Sequence, residues 1–169
     1  MKTNLRCERG TTLIETVIAS AILLVVMVGL LSMAALATMY TENHGHLEAR
    51  TTEYAQDKME QLLALSYSDQ QSDTTTFPAM PTGGTGMAVG GSIDPSTPID
   101  GYVDWVGNNG DSLSGGVTPP ADWFYLRVWQ ISTPTPGMKQ IVVVATVKTA
   151  LAGAMRPTST LVVLRADKF

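Results

Sequence analysis

The sequence predicts an α+β chain: a long N-terminal helix whose second half packs on a C-terminal antiparallel β-sheet of three to four strands. Three observations predict it. From Thr16 to Thr41 the chain carries no charge and no proline, and a bilayer-crossing helix needs only about 20 apolar residues. Beyond that run, apolar residues recur at helical spacing among acids. From Trp123 onward, segments dense in aromatic and β-branched residues alternate with turn residues, the pattern of strands joined by short connections.

The elements follow in order. Residues 1–10, MKTNLRCERG, form a short polar leader with Lys2, Arg6 and Arg9. Cations immediately before an apolar span hold that end in the cytoplasm. Residues 11–41 are the apolar helix. In hydrocarbon each backbone N–H and C=O needs a partner within the segment, so a helix is the conformation left open to it. Glu15 stands at the edge of this run, and a carboxylate there is costly unless something compensates it. Over 42–66 the helix turns amphipathic. Leu47, Ala55, Met59 and Leu62 fall near one face, with Glu48, Glu53, Asp57 and Glu60 elsewhere. A helix from about Thr12 to Leu65 would be roughly 80 Å long at 1.5 Å per residue.

Residues 67–169 make the head. Its first part, 67–122, is rich in turn signals: Thr82-Gly-Gly-Thr-Gly, Gly90-Gly-Ser, Asp94-Pro-Ser-Thr-Pro98 and Gly107-Asn-Asn-Gly110. Tyr102–Val106 reads as one short strand within it. The β-sheet occupies 123–167, with strands at Trp123–Ser132, Lys139–Lys148 and Thr160–Ala166, and Thr133–Gly137 as a turn. Short connections favour an antiparallel meander. Trp129 and the Val142–Val144 run read as core.

The N-terminal residues carry a resemblance. A basic leader ending in Gly10, then Thr11-Thr12-Leu13-Ile14-Glu15, then about 20 apolar residues resembles the class III signal of type IV prepilins and pseudopilins. The resemblance implies a pilin-like fold and a cut between Gly10 and Thr11 by a membrane prepilin peptidase. The new amine of Thr11 would then be N-methylated, and Glu15 would become the fifth mature residue. Thr11 stands where the family usually has Phe. Cleavage would remove three cations and one acid, taking the net charge from −4 to −6, together with the lone cysteine, Cys7. The stretch Arg50–Leu63 also resembles the PilV-like and GspI-like minor members. A plainer account of the same letters exists: Thr12-x-x-Glu15 is a capping box, and an acid in the first turn suits the helix dipole.

The resemblance implies a structural subunit, with Glu15 as the assembly residue pairing with the Thr11 amine of a neighbour. It implies as partners the prepilin peptidase, other pilins or pseudopilins through the helix, membrane lipid, and an assembly platform with its ATPase. The chain would sit in the cytoplasmic membrane, N-terminus inside and head outside, and then in a pilus or pseudopilus. A minor pilin is the first expectation. A type II secretion pseudopilin and a major pilin follow, with a single-pass anchored periplasmic binding module as the outside alternative.

The residues add exclusions of their own. A net charge of −4 argues against a nucleic-acid partner, because phosphate binding needs a basic surface. One cysteine forms no disulfide within the chain. No nucleophile–base pair or phosphate loop stands out, so no enzymatic activity and no cofactor are expected. Asp100, Asp104, Asn108 and Asp111 are oxygen donors of the type calcium takes, but they do not match an EF-hand loop, and solvated turns account for them. His44 and His46 read as solvated, since residues two apart do not share a helix face.

Overall fold

A computed structural model of the chain describes residues 12–149 and 156–167. The helical spacing is realised as one helix, α1, over Leu13–Ala64. The chain divides into two units, Met1–Asn43 and His44–Phe169.

In the first unit every described residue is exposed. Leu13, Val25 and Leu31 show 70% or more of their surface. The helix is long and apolar enough to cross a membrane, with none of its apolar window buried. Its serine and threonine side chains are satisfied locally. Thr16 donates to the Leu13 carbonyl at 2.8 Å and Ser20 to that of Thr16 at 2.5 Å. Ser32, Thr38 and Thr41 donate to carbonyls four residues back at 2.9, 3.0 and 2.9 Å. Each of these serine and threonine hydroxyls thus closes on its own helix and is not left unpaired toward an apolar surrounding.

The second unit combines the rest of α1 with six strands: β1 Gly90–Gly91, β2 Val103–Gly107, β3 Ser112–Gly115, β4 Trp123–Thr135, β5 Met138–Val147 and β6 Thr158–Ala166. The order is β3-β2-β4-β5-β6, with β1 pairing on β4, and every pairing is antiparallel. The sheet therefore has six strands rather than three or four. The added ones come from the turn-rich segment, where Gly-Gly and Ser-Leu-Ser-Gly carry little strand signal. The two glycines of β1 have a packing reason: a Cβ on Gly91 would collide with the Trp129 carbonyl, so only glycine allows β1 to lie against β4. The β4–β5 connection runs Thr135-Pro136-Gly137-Met138, with Gly137 at φ 77°. Pro then Gly with positive φ is what a type II turn requires.

Alternation along the strands creates two apolar faces. One packs on α1: Ala55, Met59 and Leu62 bury against Trp129, Ile131, Ile141, Val143 and Ala145, with Met87 and Tyr102 beside them. The opposite face groups Val103, Trp105, Leu126, Val128 and Val144. The core reading of Trp129 holds, with none of its surface exposed; of the Val142–Val144 run, Val143 and Val144 are buried and Val142 partly so.

Two cations from neighbouring strands hold the end of the helix and the chain that follows it. α1 has no basic residue in its last turn. Arg165 of β6 donates to the Leu63 carbonyl at 3.2 Å, where a helix leaves acceptors unfilled. Its cross-strand partner Lys139 donates to the carbonyls of Tyr67 at 2.6 Å and Met87 at 2.7 Å. Burial pushes the Lys139 ammonium below the usual lysine range.

Candidate assembly site

The helix begins at Thr12, whose carbonyl accepts the N–H groups of Glu15 at 2.9 Å and Thr16 at 3.2 Å. The Glu15 N–H is thereby satisfied by the Thr12 backbone rather than by its hydroxyl, so that half of the expected capping box is replaced by a tight first turn. Glu15 is the acid of this turn, and it is exposed. The N–H groups of a first turn make that end of the helix electropositive, which suits a carboxylate. Gly10 and Thr11, the expected cleavage and methylation positions, lie outside the described residues, as do Cys7 and the rest of the leader.

α1 runs unbroken through Gly45. Successive helix positions are 100° apart, so His44 and His46 point to different sides. His44 Nδ1 instead lies 3.2 Å from Glu48 Oε1, one turn on.

The four oxygen donors of the 100–111 region are not held together. Asp104 is completely buried. Arg127 Nε and Nη2 donate to its two oxygens, each at 2.7 Å, and Lys58 Nζ lies 2.6 Å from Oδ2. Asp104 is thus spent on two internal cations. Asp100, Asn108 and Asp111 are exposed. Asp100 lines a shallow hollow of about 230 Å³ with Asp73 and several glycines. Among the described residues no group of three or more His, Cys, Asp or Glu is placed to hold a metal ion.

This buried triad is the feature sequence reasoning missed. Lys58 comes from α1, Asp104 from β2 and Arg127 from β4, with Asp104 and Arg127 paired across strands. Burial alone would raise the Asp104 pKa, but the charges of Lys58 and Arg127 outweigh it and hold the carboxyl below its usual range. Burial pushes the Lys58 ammonium down, against the pull of Asp104. Lys58 also donates to the carbonyl of Thr74 at 2.5 Å and to Gln61 Oε1 at 2.8 Å. Its Nζ stands 4.8 Å from the Trp129 ring centroid, a cation–π contact. A weak signal for the triad existed: Asp104 and Arg127 are single charges inside apolar strand runs, and Lys58 falls on the same helical face as Ala55, Met59 and Leu62.

The two regions differ in what they can do. The triad fastens helix to sheet inside the head. Glu15 is an exposed carboxylate on a helix whose apolar side chains find no partner within their own unit, and it can pair with a cation brought by another molecule. Comparison with models of known families, with curated proteins and with solved structures gives no match.

Proposed function

We propose that the chain is a minor subunit of a type IV pilus, built into the fibre through its N-terminal helix. One observation carries the reading: a helix over Leu13–Ala64 whose residues up to Thr41 leave their apolar side chains exposed, close their serine and threonine hydroxyls on themselves, and bear one carboxylate, Glu15, in the first turn. Such a surface stands in lipid before assembly and among other such helices afterwards.

The chemistry of assembly then follows. Prepilin peptidase cuts between Gly10 and Thr11 and frees an amine at Thr11, which is methylated and stays positively charged. In apolar surroundings that amine and a lone carboxylate are each costly, and together they compensate one another. Glu15 of one subunit pairs with the Thr11 amine of its neighbour, which fixes the axial register of the two helices. Close packing of the apolar side chains against those of neighbouring helices holds the subunits together, since lipid tails are as apolar as the side chains and water exclusion adds nothing there. Extraction from the membrane is work for a separate ATPase acting through the assembly platform.

Glu15→Ala tests this. The variant should reach the membrane at the normal level and be absent from sheared fibres. Its presence in fibres at the unaltered level would overturn the role of Glu15.

A further inference from the structure

Two features on opposite faces of the head sheet take no part in the assembly just described. On the α1 side, Phe77 leaves 68% of its surface exposed. Its ring lines a hollow of about 350 Å³ together with Asp57 and Glu60 of the helix. On the other face, Trp105, Trp123 and Leu126 wall an apolar cavity of about 390 Å³, with Arg156 at its edge. Lys148 stands with Nζ 5.0 Å from the Trp123 ring centroid. One face thus presents an exposed phenyl ring as a knob beside two carboxylates, the hollow's cation, Arg127, being buried on Asp104. The other presents an aromatic-walled hole beside two cations.

We propose that knob and hole meet between copies of this chain: Phe77 of one copy enters the Trp105–Trp123–Leu126 cavity of the next, with Asp57 and Glu60 facing Lys148 and Arg156. The volume accommodates a phenyl ring, and aromatic rings pack favourably edge to face, as Trp105 and Trp123 already do at 4.7 Å. The cavity suits an apolar occupant rather than a polar one. The indole N–H of Trp105 is already donated to the Gly116 carbonyl at 2.7 Å. Asp94, the acid on the rim, is turned to the Ser96 N–H and hydroxyl at 2.8 and 2.7 Å. A buried aromatic anchor ringed by complementary charge is the usual make-up of an interface hot spot. Because the two surfaces differ and lie on different faces, the contact is heterologous: it repeats from copy to copy instead of closing on itself. The inference concerns the heads alone and does not depend on the membrane role of the helix.

Disulfide trapping of the full chain in detergent micelles, in a Cys7→Ser background, tests it. Ala79, two residues from Phe77, and Ser96 are both exposed, so cysteines there should be tolerated while the Phe77 ring is kept. A chain with both Ala79→Cys and Ser96→Cys should oxidise to a ladder of multimers, and adding Phe77→Asp should abolish it. Chains with one cysteine each, mixed, should stop at dimers. Asp57→Lys with Glu60→Lys should slow the linkage about tenfold, and Lys148→Glu with Arg156→Glu added in the same chain should restore it. Monomers only, linkage no faster than for Ala79→Cys with Thr133→Cys, failure of the charge swap to restore it, or linkage to a different protein alone would each overturn the contact. A ladder that persists in Glu15→Ala would show that it stands apart from the helix pairing.

Discussion

The first 31 residues of α1 and the last 21 belong to one continuous helix, yet their side chains meet opposite conditions. Before His44 every described residue is exposed. After it, Thr51, Tyr54, Ala55, Lys58, Met59 and Leu62 are buried, and even a lysine is taken into the core, against Asp104. The lesson is that apolar character does not decide what a helix does; the availability of a partner within the chain does. The second half has its sheet. The first half is the more apolar of the two and has none in its own unit; in the proposed role its partners are lipid and then the helices of other subunits.

Substitutions can break that comparison. The largest effect belongs to Asp104→Ala, which leaves Lys58 and Arg127 buried without their acid. Removing one partner of a buried charge group costs about 3–5 kcal/mol, and a chemical-denaturation midpoint of the head should fall accordingly. Leu62→Ala, at a fully buried site, should cost about 2–5 kcal/mol. The same exchange at Leu23, 59% exposed, should leave head stability unchanged. Equal losses at the two leucines would show that the halves are not distinct.

Acidity sharpens the contrast. The folded pKa of Asp104 is depressed, so its contribution is fully present above the unfolded value of about 3.9 and is lost as pH falls through the folded one. The head should therefore lose stability on acidification below about pH 4. Asp104→Asn should be less stable at neutral pH and show a shallower acid dependence, since Asp69 and Asp94 are also held low by hydrogen bonds, measured as denaturation midpoints across pH 2–7. The smallest effect belongs to Arg50→Ala. It breaks an exposed pair with Glu53 at 3.1 Å and should change stability by less than about 0.5 kcal/mol.

The sequence made the periodic elements legible. The helix expected from about Thr12 to Leu65 is found over Leu13–Ala64, and strands read at Trp123, Lys139 and Thr160 are β4, β5 and β6. Apolar period and β-branched density are local signals, so they survive in one dimension. What stayed hidden is pairing at a distance. Lys58 and Asp104 are 46 positions apart, and only strand register brings Asp104 beside Arg127. Read locally, Asp104 was one of four turn oxygens; in the fold it is an internal counter-ion. β1 and β3 escaped for the opposite reason, since glycine and serine carry no apolar period and pair only because β4 and β2 offer an edge. Of the assembly site, Glu15 could be read at once, because a single acid at the head of an uncharged run is conspicuous without any knowledge of its partner.

The most direct test of the central claim is the N-terminus of the chain recovered from membranes and from sheared fibres, determined by sequencing and intact mass. The account predicts a polypeptide in both fractions that begins at methylated Thr11. A chain that still begins at Met1, or one that never enters the fibre fraction, would contradict it.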